Sequence, residues 1–219
     1  MLPIYTAIIP SFHSAAAPPS YLVEENFEGT GTPSGWIPIG TVDFDYTTTV
    51  LQGAQSCYLD GTSGWAAILL PGISAQSECW VYFLLQTAAL PLAERRIFRM
   101  RDVDGNVELF AVNLLADGTL KILQSGANGV TTVGSITTAT KHHIWVYYKK
   151  GTGSDGIASV AFSTTGTRPT SGNNFAQLTN GTSVLNATTL WLETETSGLA
   201  TVVDRVLLVA GSTAIPDNP

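Results

Sequence analysis

Charge is scarce in this 219-residue chain. Only 12% of residues are Asp, Glu, Lys or Arg, and ten Lys and Arg face seventeen Asp and Glu. A net charge of −7 leaves no general cationic surface, and phosphate binding needs clustered cations, so nucleic acid is not expected as a partner. The local exception is Arg95, Arg96, Arg99 and Arg101. In an extended strand Arg95, Arg99 and Arg101 share one face. The simpler reading is a solvated face ion-paired with Asp102, Asp104 and Glu108; the other is an anion site. Cysteine is nearly absent. Cys57 and Cys79 sit in apolar runs and are too few for a disulfide scaffold, so reduced core thiols are expected, with one cross-strand disulfide as the alternative. No segment has the roughly 18 uninterrupted apolar residues of a membrane-crossing helix, and no membrane partner is expected. Runs of helix formers are also scarce, while Thr, Ser, Val and Gly dominate.

What the chain does have is short apolar runs between turns. Strands are expected over 21–27, 44–51, 56–59, 66–70, 79–86, 95–101, 107–114, 120–124, 144–149, 157–164, 189–195 and 202–209. Asp104-Gly105-Asn106 and Asp117-Gly118 read as turns, making a meander of the three strands around them. About a dozen short strands without an amphipathic helix predict an all-β fold, a two-sheet antiparallel sandwich over residues 21–219. No internal repeat and no second domain is evident.

Residues 1–20 read as an extended N-terminal arm. Pro3, Pro10, Pro18 and Pro19 block helix and central-strand pairing. Leu2, Ile4, Tyr5, Ile8, Ile9 and Phe12 nevertheless make the segment too apolar for a solvated tail, so it needs a surface. That surface is its own domain, a sister subunit or another protein. The apolar stretch has no Lys or Arg ahead of it and is broken by proline, which argues against a cleaved signal.

Several motifs in order resemble concanavalin A-like, laminin G-like jelly rolls. They are Glu25-Asn26-Phe27-Glu28-Gly29 with Pro33-Ser34-Gly35-Trp36; Ser56-Cys57-Tyr58-Leu59-Asp60-Gly61; His142 to Tyr148 followed by Gly151; and Val203-Asp204-Arg205-Val206. The resemblance spans roughly residues 22–210 and implies a jelly-roll sandwich of the kind that serves lectins, glycanases, adhesion modules and virion proteins. An apolar arm on such a sandwich is also similar in architecture to head-decoration and fibre proteins of tailed phages.

Aromatic residues form the most informative set. If Val81, Phe83 and Leu85 face the core, Trp80 and Tyr82 face away; likewise Trp145 and Tyr147 against Ile144, Val146 and Tyr148, and Trp191 against Leu190 and Leu192. Trp80, Tyr82, Trp145, Tyr147 and Trp191 are therefore a candidate face, covered by a neighbouring subunit, the arm or a loop, or open as a glycan platform. Glu193 and Glu195, two apart on a strand, share a face and could form an acid/base pair. Thr194 and Thr196 stand where the glycanase pattern carries a further acid, so no catalytic residue is assigned. Calcium is implied by the resemblance at Glu28 and Asp204, but too few ligands can be named and local ion pairing is the simpler reading. His142 and His143 point to opposite faces of a strand and cannot chelate one ion. No metal site or cofactor is expected, and no nucleotide loop or nucleophile elbow is present.

The expectation is a non-enzymatic virion surface protein, made in the host cytoplasm. It would decorate or cement a tailed-phage capsid by binding the major capsid protein or another virion protein through its arm, as a homo-oligomer such as a trimer. The alternative is a carbohydrate-binding module of a phage fibre or extracellular protein, with a glycan as its partner.

Overall fold

The computed structural model describes residues 19–62, 64–102, 107–124, 129–194 and 199–219. Residues 1–18, which hold Leu2, Ile4, Tyr5, Ile8, Ile9 and Phe12, lie outside the described residues, as does the Asp104-Gly105-Asn106 turn. Among the described residues there is no helix, and fifteen strands, numbered in chain order, build two antiparallel sheets. The eight-stranded sheet runs β13 (Phe175–Gly181), β12 (Gly156–Ser163), β11 (His142–Lys149), β6 (Glu78–Thr87), β15 (Leu199–Ala210), β4 (Ser56–Gly61), β3 (Thr41–Tyr46), with β1 (Val23–Glu25) also paired to β15. The seven-stranded sheet runs β10 (Val130–Ser135), β9 (Thr119–Gln124), β8 (Glu108–Leu114), β7 (Arg95–Arg101), β14 (Thr189–Thr194), β5 (Ala66–Leu70), β2 (Ile37–Ile39). The all-β, two-sheet antiparallel sandwich is as expected, and so is the β7–β8–β9 meander.

Period-two alternation decides what is inside. Val81, Phe83 and Leu85 of β6, Ile144, Val146 and Tyr148 of β11, and Leu190 and Leu192 of β14 all enter the core between the layers. Phe98 of β7 bridges the layers. It stacks on Phe83 at 5.7 Å and meets Phe110 edge-on at 5.9 Å. Cys57 and Cys79 are free and buried in this core. Burial pushes the Cys57 thiol well up and the Cys79 thiol to about 12, so both behave as small apolar side chains.

Three strands escape the sequence reading: β2, β10 and β13. Pro38 in β2 cannot donate to a ladder, and β2 accordingly sits at a sheet edge. The run expected at 44–51 is displaced. Its strand is Thr41–Tyr46, and Leu51 lies in the connection that follows, folded over the outer side of the eight-stranded sheet.

That outer side carries a second apolar layer. Tyr82, Leu84, Trp145, Ala161, Val202, Leu207 and Val209 are buried there beneath Leu51 and Ile215. The C-terminal segment lies across them. The Trp80 indole N–H donates to the Ser212 carbonyl (3.2 Å), the Arg168 amide donates to the Asp217 carboxylate (2.7 Å), and the Asn218 amide donates to the Gly166 carbonyl (2.9 Å). The sheet is therefore clad on both faces, leaving the outer side of the seven-stranded sheet as the other large face.

Candidate functional site

The structure divides the aromatic set in two. Trp80, Tyr82, Trp145 and Tyr147 point outward from the eight-stranded sheet; Trp191 points outward from the seven-stranded one. The alternation along each strand holds, but the strands belong to different layers, and sheets pack about 10 Å apart face to face. The five residues thus make no single coplanar face. Trp145 and Tyr82 are fully buried, and Tyr82 is hydrogen-bonded to His143 Nδ1 at 2.8 Å. Trp80 and Tyr147 pack at 4.8 Å between ring centres; the Arg168 guanidinium lies 4.4 Å from the Trp80 ring, and the Tyr147 hydroxyl donates to Glu78.

Around Trp191 the chain builds a different arrangement. In β14, Trp191 stands opposite Leu69 of β5 on one side and Arg99 of β7 on the other. Arg99 in turn faces Ala111 of β8, and Ala111 faces Leu123 of β9. Trp65 immediately precedes β5 and lays its ring parallel to Trp191, with centres 5.7 Å apart and planes 10° apart. The β2–β3 turn packs directly against the Trp65 backbone. Gly40 permits this: its φ is +71°, and a Cβ there would overlap the Trp65 carbonyl oxygen.

The Arg99 guanidinium lies 4.3 Å from the Trp191 ring centre and 5.7 Å from that of Trp65, within cation–π range. Its Nε pairs with Glu193 Oε1 at 3.0 Å, and Glu193 Oε2 accepts the Trp65 indole N–H at 3.0 Å. Glu193 is only 1% exposed, whereas Trp65 is 36% exposed. The buried carboxylate thus locks Trp65 and Arg99 together, and Trp65 is the ring this cluster presents to solvent. Sequence reasoning missed Trp65. The available signal was a tryptophan between a Gly-rich turn and an apolar strand.

Further cations share this face. Arg96 Nε pairs with Glu108 at 3.1 Å, with Arg99 also 3.9 Å from that carboxylate. Lys121 pairs with Glu94 at 3.0 Å, and Glu94 also accepts the Asn113 amide at 2.5 Å. Arg101 approaches the Trp191 ring at 5.9 Å. The expectation placed Arg95 beside Arg99 and Arg101. A β-bulge between Arg96 and Phe98 shifts the register, so Arg96, opposite Asn113, joins the outer face, while Arg95 stands opposite the core residue Leu114. Burial draws the Arg99 guanidinium below its ordinary value; Glu193 opposes this, and Arg101 and Arg96 add to it. The ion-pair reading of the arginine run holds for Glu108, and Glu193 is a partner it did not foresee.

Other candidates resolve into structural roles. Glu195 lies outside the described residues, and Glu193 is occupied by Arg99 and Trp65, so the described residues assemble no carboxylate pair. Glu28 accepts the Ala54 amide at 2.9 and 3.0 Å. Asp204 accepts the Gln52 amide (2.9 Å) and the Ser56 hydroxyl (2.8 Å) through one oxygen and the Arg205 amide (2.7 Å) through the other. These two acids hold the turn between β3 and β4 from either side, with Gly53 at φ +69° where a Cβ would meet Glu28. Burial raises the Asp204 pKa to about 6, the hydrogen bonds oppose it, and Glu28 adds to it. No group of three or more His, Cys, Asp or Glu side chains is placed to hold a metal among the described residues.

No protein-family model matches the chain, and no curated protein sequence does. Solved structures do. An endo-β-1,4-glucuronan lyase from the fungus Trichoderma reesei superposes with a TM-score of 0.63 at 12% identity, covering 90% of this chain and 98% of its own. A marine alginate lyase from Aplysia kurodai gives 0.66 at 7% identity, covering 88% and 100%. A cellulose-induced protein gives 0.65 at 12% identity, covering 88% and 99%. At these identities the likeness is one of fold, and the fold is the concanavalin A-like jelly roll. It also corrects the expectation that the chain is not an enzyme. The same sandwich, over nearly the full length of both chains, carries catalysis in two polysaccharide lyases, so a lack of catalytic motifs does not exclude activity.

Proposed function

We propose that the chain engages a glycan on the outer face of its seven-stranded sheet. The observation that supports this most is the parallel Trp65–Trp191 pair, with its outer ring exposed and fixed by Glu193. Sugar rings present C–H faces that pack on indole, and a ring held before binding loses little freedom on contact. Arginine and lysine donors flank the ring. The named lyases act on glucuronan and alginate, which supports a polysaccharide as the partner class.

Two variants test the placement. Trp65→Ala should weaken polysaccharide binding at least tenfold in affinity electrophoresis or calorimetry, measured at a temperature where the variant, destabilised by the loss of the indole donor to Glu193, is still folded. Trp80→Ala, on the other sheet, should leave binding intact. The reverse pattern would transfer the site to the eight-stranded sheet. The same incubations, followed for the ultraviolet absorbance of an unsaturated product, report whether binding leads to elimination.

A virion role is supported by the composition of residues 1–20, which are apolar, proline-broken and in need of a surface. In that reading the sandwich, alone or as a homo-oligomer, projects from a phage particle. Deleting residues 1–20 is expected to abolish attachment to particles in co-sedimentation; undiminished attachment would remove this role.

A further inference from the structure

We infer that the glycan taken on the seven-stranded sheet is anionic, with carboxylate or sulfate groups that the Arg96, Arg99, Arg101 and Lys121 face reads. This rests on the placement of the glycan site given above and adds the chemistry of its ligand.

Four of the ten Lys and Arg of a chain carrying a net charge of −7 converge on one side of one sheet. An anionic polymer is repelled by an acidic protein and lands where the sign reverses. Among the described residues three carboxylates share this face with the four cations, Glu108 pairing with Arg96, Glu94 with Lys121 and Glu193 with Arg99, so the cations exceed them by one. Glu193 is sealed beneath Trp65, with Arg99 Nε against it, and so acts as a brace inside the protein. The terminal nitrogens of Arg99 have only the 3.9 Å approach of Glu108 among the described residues. That terminal fork matches an oxyanion pair.

Arg99 is mostly withdrawn from water: burial disfavours its charge, Glu193 and Glu108 favour it, and the like-charged Arg101 and Arg96 work against it. Exposed ion pairs return little stability, so a solvated face gains nothing by gathering them. A bound anion relieves the mutual repulsion. Functional sites are where such local conflict persists.

Geometry sets how a chain would lie. Arg99 and Arg101 are two residues apart on β7, about 6.5–7 Å, and strands are about 4.8 Å apart. Trp191, Arg99, Ala111 and Leu123 form one row across four strands; Arg96, Asn113 and Lys121 form the next. A polysaccharide crossing the strands from Trp65 meets the aromatic platform first, then Arg99, then Lys121.

The test uses glucuronan oligosaccharides, the same oligosaccharides with their carboxyls reduced to alcohols, and a single-stranded oligonucleotide of equal charge. We expect the acid form to bind at least tenfold more tightly than the reduced form and the oligonucleotide, and its affinity to fall steadily with salt. Arg101→Gln should remove several-fold of the preference for the acid while leaving the reduced form unaffected; Trp65→Ala should weaken both. If the reduced form binds as tightly as the acid, yet both lose affinity in Trp65→Ala, the anionic assignment is wrong and the platform stands. Equal binding of the oligonucleotide also overturns it, since charge alone would then suffice. If neither oligosaccharide binds, or Trp65→Ala changes nothing, the glycan site itself is misplaced and this inference falls with it.

Discussion

Arg99→Ala is expected to lower the unfolding free energy by about 3–5 kcal/mol, the range for stranding one member of a buried ion pair. Arg99 and Glu193 meet at 3.0 Å with their side chains 11% and 1% exposed. Removing the guanidinium leaves a carboxylate enclosed by protein, with the Trp65 indole N–H still donating to it, and it also removes the cation–π contacts to both tryptophans. The loss is thus mainly a desolvation penalty on Glu193. Adding Glu193→Gln to Arg99→Ala should recover a large part of it, because a neutral amide is far less costly to bury. Denaturant unfolding of the two singles and the double measures this directly. A loss below about 1 kcal/mol in Arg99→Ala would mean that the pair behaves as an exposed one.

The second large effect is on pH dependence. Asp204 is buried where β15 shifts register, beside Arg205 at φ +46°. Its folded pKa is raised to about 6, above the ordinary carboxylate value near 3.9. The folded chain therefore holds that proton more tightly than the unfolded chain. Its contribution is fully present below about pH 4 and is lost as pH rises through about 6, a change of about 3 kcal/mol. Asp204→Asn should flatten the stability profile between those limits relative to the parent. Burial lowers the pKa of His142 and His143, which act in the opposite sense and cost stability as pH falls below their unfolded value near 6.5. They act equally in parent and variant, so the difference between the two profiles isolates Asp204. Parallel profiles would show that Asp204 titrates normally.

Period-two alternation made the layers legible from sequence. It placed Val81, Ile144 and Leu190 inside and Trp80, Trp145 and Trp191 outside, and the structure agrees residue for residue. It could not say which strands are neighbours. β14 lies between β7 and β5, both distant along the chain, and that pairing alone carries Trp191 away from Trp80 and onto Arg99. Nor could it anticipate the bulge that exchanges Arg95 for Arg96, since one inserted residue reverses the phase of everything before it. The outward aromatics of β6 and β11 were legible as outward but not as covered. Their cover comes from Leu51, which ends the run read as a strand over 44–51 but lies past the strand that forms, and from Ile215, a large apolar residue in a polar, turn-rich stretch where a single side chain leaves no periodic trace. Trp65 escaped for the same reason, since it stands before its strand rather than within the alternation.

The most direct measurement is a structure of the full chain with a bound acidic oligosaccharide. A sugar ring is expected over Trp65, its carboxylate within hydrogen-bond distance of Arg99 or Arg101, and the oligosaccharide running across the strands toward Lys121. An oligosaccharide seated instead against Trp80 and Tyr147 would contradict this placement.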